Sequence, residues 1–324
     1  QSISYKDFID KDLKHFSIYD NERSIPNLVD GLKVSLRKVL FAAFKKKLFK
    51  EIKVAQFSGY VSETTAYHHG EASLNAAIKG FAQNYVGSNN INLLVPSGQF
   101  GTRLQGGKDA GSERYIYTYL NSITRKIYPE ADDAILDYLD DDGQSIQPEY
   151  YLPILPMILV NGTIGIGTGF STQVLSYNPV QIIDYITDVL ESGESSRIVE
   201  PYYHGFKGDI VNLVSDGMDS VPKYLIKGVY NILSATEIEI TELPVFLWTE
   251  NFKQHLEKLL EAKNPVIKDY TDLCTDTEIH FKIKFVDDIT SMHHSLIEYG
   301  CNKIEKLLKL YTTVNTSNMY LFND

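Results

Sequence analysis

Apolar residues recur at steps of three and four through the first quarter of the chain, then give way to shorter β-rich runs. Over residues 4–16, Tyr5, Phe8, Ile9 and Leu13 fall on one side and Ser4 precedes them as an N-cap, which predicts a helix. Turn signals at Ile25-Pro26-Asn27 and Asp30-Gly31 separate it from a second helix, whose apolar face is Leu36, Val39, Leu40, Ala43 and Phe44. Arg37, Lys38 and Lys45, Lys46 and Lys47 are assigned largely to its opposite face. The cleanest period is Leu74, Ala77, Ile78, Phe81, Ala82 and Tyr85, directly after His68-His69-Gly70, and it predicts a third helix. A short strand over 91–95 follows, then a loop over 96–111 carrying five glycines. Residues 114–120 alternate Tyr115, Tyr117 and Tyr119 with Ile116, Thr118 and Leu120, a strand pattern, and a short helix reaching Ile127 comes next.

Helices followed by a strand, a glycine-rich loop and another strand match a winged helix-turn-helix, in which a helix meets a DNA groove and the loop meets the backbone. Beyond it, Pro153 and Pro156 break an apolar run over 151–160, ahead of Asn161-Gly162. Helical periods return at 179–190, 249–260 and 302–310, with β-rich runs at 224–232, 237–240 and 278–285. Elements that mix without strict alternation predict an α+β protein, not a doubly wound sheet. The boundary is placed near 171–178, giving units of 1–172 and 173–324. No internal repeat or low-complexity tract interrupts them.

Composition fits a folded chain of about two domains: 324 residues, 43% hydrophobic and 23% charged. No apolar stretch approaches the roughly 20 residues of a membrane span, and the first residues do not open a signal peptide, so a soluble intracellular protein is expected. Two cysteines, Cys274 and Cys301, cannot build a disulfide framework or a four-ligand zinc site. A net charge of −11 argues against a nucleic-acid binder until the charge is located. About 18 Lys and Arg face 11 Asp and Glu through Lys126, leaving about 13 against 31 beyond it. The first part suits a phosphate backbone and the second repels it.

Four constellations can carry chemistry. Gly162, Gly165, Gly167 and Gly169 surround Ile166, but no Walker lysine follows and Phe170 stands where a dinucleotide fingerprint needs its last glycine. What remains is either an ordinary buried turn or a loop presenting Ile166 as a wedge between base steps. Asp132, Asp133, Asp137 and Asp140-Asp141-Asp142 lack calcium-loop spacing, and Asp142-Gly143 reads as a turn. Adjacent His68 and His69 diverge on a helix and make no zinc pair, so no metal site is expected. Arg23, Lys33, Arg37, His69, Arg103, Lys108 and Arg114 each lie near small polar residues that let a phosphate approach, if the fold gathers them. Last, Arg114 beside Tyr115 puts a guanidinium where it favours a phenolate and a phosphorane-like transition state. Tyr115 is one of 22 tyrosines, and spacing alone does not single it out.

Taken in order, several segments resemble the breakage-reunion region of eukaryotic-type type IIA DNA topoisomerases. They are Ser4-Tyr5-Lys6-Asp7-Phe8, Arg23-Ser24-Ile25-Pro26, Ala66-Tyr67-His68-His69-Gly70-Glu71, Phe100-Gly101-Thr102-Arg103, Gly106-Gly107-Lys108-Asp109, Arg114-Tyr115-Ile116, and Leu155-Pro156-Met157 with Gly165-Ile166-Gly167-Thr168-Gly169. The resemblance implies that Tyr115 attacks a DNA phosphodiester and becomes joined to the 5′ end, assisted by Arg114, with His69 at the scissile region. It also implies that Ile166 intercalates and that Arg23, Lys33, Arg37, Arg103 and Lys108 line the DNA path. The implied architecture is a winged-helix domain followed by an α+β tower domain.

Three departures point to a divergent member, protist or viral. Val34-Ser35-Leu36 replace Pro-Gly-Gln before Arg37-Lys38, Ile164 replaces an acidic residue, and Phe170 replaces a tryptophan. The resemblance further implies Mg²⁺ and ATP for the full-length enzyme, both bound by domains not seen in this sequence, together with double-stranded DNA and a homodimer as partners and no membrane. Location is expected to be the nucleus if cellular, or host cytoplasm or nucleus if viral. The chain alone is expected to bind DNA without relaxing supercoils. The rival reading is a non-catalytic winged-helix DNA-binding protein, which leaves Arg114-Tyr115 without a task. A nucleotide-binding enzyme built on Gly165 to Gly169 is more distant.

Overall fold

A computed structural model describes residues 2–213 and 221–323. Ser4 caps the first helix as expected, its hydroxyl accepting from the Asp7 amide at 3.0 Å. That helix, α1 (Tyr5–Asp7), continues through a π-helical stretch (Phe8–Leu13) into α2 (Lys14–Ser24), well past the predicted end at residue 16. It stops where Ile25, held extended by the following proline, leaves the helical region. The apolar side expected to pack, Tyr5, Phe8, Ile9 and Leu13, is instead exposed.

The next helix, α3 (Val34–Lys45), is buried on nearly all sides, Arg37 and Lys38 included. This corrects their assignment to a solvated face: neighbouring elements cover α3 all round, which a single-helix pattern does not reveal. After β1 (Ile52–Lys53) comes α4 (Val54–Thr65), which the sequence pattern did not predict. Its buried positions include Ser58, Thr64 and Thr65, and the last two return their hydroxyls to Tyr60 O and Val61 O at 2.7 and 2.6 Å. Internal bonds of that kind hide a helix face from an apolar count. The predicted third helix is α5 (Glu71–Ala82), with Tyr85 beyond its end. Strand β2 (Leu94–Ser97) begins later than the expected 91–95, and β3 is Tyr117–Leu120.

These strands form an antiparallel sheet in the order β1-β3-β2, with Leu94 opposite Leu120 and Ile52 opposite Thr118. Val39, Leu40, Phe57, Val61, Leu74, Ile78 and Leu94 fill the space between helices and sheet. The connection from β2 to β3 is the glycine-rich loop, so the three helices, sheet and loop stand in the order of a winged module. Then come α6 (Thr124–Ile127), a hairpin of β4 (Tyr138–Asp141) and β5 (Gln144–Pro148), α7 (Met157–Asn161), and a second hairpin of β6 (Thr163–Ile166) and β7 (Ser171–Val174). The first hairpin turns at Asp142-Gly143 as expected, both residues at positive φ.

Helix α8 (Pro179–Ser192) starts at an Asn178 cap. Strands β8 (Asp209–Leu213) and β9 (Lys223–Lys227) are followed by β10 (Val229–Ser234), β11 (Glu237–Glu242), α9 (Thr249–Leu260), β12 (Ile267–Asp272) and β13 (Phe281–Phe285). The chain finishes through α10 (Thr290–His294), β14 (Leu296–Glu298), β15 (Cys301–Asn302), α11 (Lys303–Leu307) and β16 (Tyr311–Asn315). The run at 224–232 is therefore two strands. Strand β9 lies in a sheet ordered β16-β9-β8 and β10 in another ordered β10-β11-β13-β12. Gly228 makes the break, since a Cβ there would sit 2.4 Å from Glu242 O. The helix expected over 302–310 is shorter, ending at Leu307.

The class is α+β, as expected, with a second core of Ile238, Ile240, Phe252, Leu256, Phe281 and Ile283 under α9. A cut at 172/173 does not separate the two cores. The first includes Leu175, Tyr177, Ile182 and Tyr224, and the chain's last residues return to it: Leu28 N donates to Phe322 O at 2.6 Å and Gln173 N to Asn318 O at 2.6 Å.

Candidate nucleic-acid interface

Arg114 and Tyr115 sit in a turn ahead of β3, not in the strand that the alternation over 114–120 suggested; Tyr115 N donates to Ser112 O at 2.9 Å. The turn is pinned on both sides. Glu113 O accepts from Ala55 N and Ile116 O from Val54 N, each at 3.0 Å. Those amides belong to the first turn of α4, where N–H groups have no partner within their own helix. Ile116 is buried beside Gly98 and Gly111, where a Cβ would lie 3.2 and 3.1 Å from its methyl. Tyr115 is left 76% exposed on a held backbone, with Arg114 exposed beside it. The nearest carboxylate in sequence, Glu113, is engaged by Lys79 at 3.4 Å. A hydrogen bond from its own backbone, helped by Lys79, holds its carboxyl below the usual carboxylate range.

Ile166 lies at the tip of the β6-β7 hairpin and is 77% exposed, with Ile164 and Phe170 also exposed. The glycines flanking it are required by α2: a Cβ on Gly165 would sit 2.3 Å from Ser24 O, and one on Gly167 would sit 2.1 Å from Asn21 Oδ1. A hairpin tip is not a strand-to-helix phosphate loop, so the nucleotide-site reading has no structural basis here. Lys33 closes the base of the hairpin by donating to Ile164 O at 2.8 Å, and burial pushes its amine down.

His69 stands just before α5, where Gly70 takes φ +88° to start the helix. The Tyr19 hydroxyl lies 2.7 Å from His69 Nε2, and the Tyr67 ring meets the imidazole edge-on at 5.4 Å. Arg23 lies 5.9 Å from the Tyr19 ring centre. Burial, reinforced by the charge of Arg23 and then by His68 and Lys38, pushes the imidazole below its ordinary range. The fold thus gathers His69, Tyr19 and Arg23. The signal that could have found Tyr19 is absent from the sequence, since its partner lies 50 residues away.

Two of the expected DNA-lining cations face inward. Arg37 bonds Asp30 through Nε at 2.6 Å and Nη2 at 3.0 Å, and Asp30 also accepts from the amides of Leu32 and Tyr151. Arg103 pairs with buried Glu242 across 139 residues, tying the glycine-rich loop to β11. Both are scaffold contacts, against the expectation that they line a DNA path; a guanidinium sealed against a carboxylate has no face left for a phosphate. Lys108 on the same loop remains exposed. The acidic run is used locally: Asp133 pairs with Arg125 at 2.8 Å and Asp140 accepts from Gly143 N. Among the described residues no three His, Cys, Asp or Glu side chains are grouped to hold a metal ion.

A family model for the A subunit of DNA gyrase/topoisomerase IV matches residues 23–324. DNA topoisomerase 2 of Drosophila melanogaster is 47% identical over 327 residues, covering 100% of this chain and 22% of the relative. DNA topoisomerase 2-alpha of Homo sapiens is 45% identical over 325 residues, covering 99% and 20%. The crystal structure of the Plasmodium falciparum topoisomerase II DNA-binding, cleavage and re-ligation domain superposes with a TM-score of 0.88 at 46% identity, over 99% of this chain and 42% of that one. The chain spans about a fifth of the length of these curated relatives.

Proposed function

The chain belongs to the DNA gyrase/topoisomerase IV family, and from that premise we propose that it supplies the duplex-binding and strand-cutting surface of an ATP-dependent type II DNA topoisomerase. The Tyr115 oxygen attacks a backbone phosphorus. A bond from oxygen to phosphorus forms as the phenol loses its proton to solvent, the bond to the 3′ oxygen breaks and that oxygen takes up a proton to leave as a hydroxyl, and the 5′ end stays on the tyrosine. Attack by that 3′ hydroxyl reverses the step and reseals the strand. Arg114 stabilises the charge that gathers on the phosphoryl oxygens and is not consumed. His69 positions the phosphate, and Arg23 and Lys108 neutralise neighbouring ones. Ile166 enters between base steps and bends the duplex. Arg37 and Arg103 act only by keeping these groups in place.

Among the described residues no three His, Cys, Asp or Glu side chains come together to hold Mg²⁺. In the whole protein, Mg²⁺ and ATP act from other parts, and two copies cut the two strands so that a second duplex can pass. The nucleus is the location for a cellular member, although one similar Dictyostelium discoideum protein is named as mitochondrial. The isolated chain binds duplex DNA without relaxing it.

The observation that carries this reading is Tyr115 itself, an exposed phenol next to a guanidinium on a backbone pinned to α4. In the whole protein, Tyr115→Phe is expected to abolish covalent DNA adducts while duplex binding persists. Unchanged adduct formation would leave the non-catalytic winged-helix reading in its place.

A further inference from the structure

The last two turns of α2 touch two functional elements through the consecutive side chains of Tyr19, Asp20 and Asn21. Tyr19 reaches back to His69 Nε2 at 2.7 Å. Asp20 accepts from Thr168 Oγ1 at 2.8 Å, and Asn21 Nδ2 donates to Thr168 O at 3.1 Å. Ser24 O then lies against Gly165 at the base of the hairpin tip. Thr168 is two residues beyond Ile166, so α2 holds both its hydroxyl and its carbonyl next to the hairpin tip. Asn21 is buried, and its Oδ1 faces Gly167 with no hydrogen-bond partner among the described residues. An unmet buried oxygen is costly, and an apolar residue would avoid that cost. What only the amide supplies is the hold on the Thr168 carbonyl.

We propose that this end of α2 is a strut coupling the DNA-bending hairpin to the histidine at the cut: Asp20 and Asn21 fix the hairpin through Thr168, and Tyr19 orients His69. The proposal rests on the roles given above to Ile166 and His69. Tyr19, Asp20 and Asn21 act as positioning residues, through His69 and Thr168. In this strut Tyr19 is assigned as the donor to Nε2, so that the neutral imidazole carries its proton on Nδ1 for a phosphate oxygen. Loss of the hairpin anchor lets Ile166 recoil when the duplex resists bending, and a displaced α2 end also moves Tyr19.

The test uses the whole protein with a duplex labelled at both ends, reading bend angle by energy transfer, and affinity and adduct yield in parallel. Ile166→Ala is the reference and is expected to reduce the bend. Thr168→Val, which removes the hydroxyl without changing size, is expected to reduce the bend and to lower adduct yield about tenfold, with affinity changed less than twofold. Thr168→Ser is expected to restore both. Tyr19→Phe is expected to lower adduct yield at an unchanged bend, and its effect is expected to shrink when combined with Thr168→Val. A wild-type bend in Thr168→Val, or equal losses in the Ser and Val variants, overturns the strut if Ile166→Ala still reduces the bend. A wild-type bend in Ile166→Ala overturns the wedge reading on which the strut depends.

Discussion

The basic first part and the acidic second part of the chain give half-buried and exposed tyrosines different neighbours. In the second half, Tyr270 donates to Glu257 and Tyr311 to Glu298, and burial together with those bonds pushes Tyr270 up to about 12 and Tyr311 higher still. Such phenols keep their protons. In the first half, Tyr115 stands next to Arg114, and the one adjoining carboxylate is drawn off by Lys79. Tyr128 and Tyr151, beyond the basic part, are buried and held protonated by desolvation. Exposure and a cationic neighbour are not enough by themselves, since Tyr299 in the second half is also exposed and accepts from Lys223 Nζ at 2.8 Å; what Tyr115 adds is greater exposure on a backbone pinned to α4.

Removing the cationic neighbour breaks the contrast most directly. Arg114→Ala is expected to slow adduct formation by about 10²–10³-fold, the loss seen when one preorganised donor to a transition state is deleted. Rapid-quench sampling of adducts measures it, and a change under threefold would show that the guanidinium is not needed.

Arg103 tests whether the two halves depend on one another. Arg103→Ala leaves Glu242 buried without its partner and is expected to cost about 3–5 kcal/mol of stability in denaturant titrations. The salt dependence of DNA binding should not change. Lys108→Ala is the converse, with stability unchanged and the slope of log affinity against log salt reduced by about 0.9 if it neutralises one phosphate. Should Arg103→Ala alter the slope and Lys108→Ala not, the inward and outward assignments would be exchanged.

The smallest expected effect is a pH dependence. Because burial and nearby cations lower the His69 pKa, the unfolded chain binds protons more readily than the folded one below about pH 6.5. The stability contribution is flat above that value and lost as pH falls through the folded pKa. His69→Gln is expected to flatten the stability curve over that window; a wild-type slope in the variant would remove His69 as its source.

The two halves also differ in how much of them could be read from residues alone. Helices α5 and α9 were legible because three-and-four periods bury one face, and α3 showed the same apolar period although it is buried on nearly all sides. Helix α4 was not, since its buried Thr64 and Thr65 are satisfied within the helix. The run ending in β10 looked like one strand, because the contact that forbids a side chain at Gly228 comes from distant Glu242. Arg114 and Tyr115 could be named from the family resemblance, and the exposure of Ile166 agrees with the wedge alternative over the buried turn.

What the sequence determined by itself was the α+β class and the charge division, both of which depend on residue type and local spacing; Arg114 and Tyr115 stood out as the candidate reactive pair only through the family resemblance. Which cations face outward was decided only by tertiary structure. Arg37 and Arg103 are chemically the same as Arg114, yet partners 7 and 139 residues away seal them inside. The glycines around Ile166 are a second case. They suggested an unencumbered side chain, but their necessity comes from α2, whose Asn21 and Ser24 leave no room for a Cβ. Long-range contacts of this kind leave no periodic trace in a sequence, because each is set by where two distant segments meet.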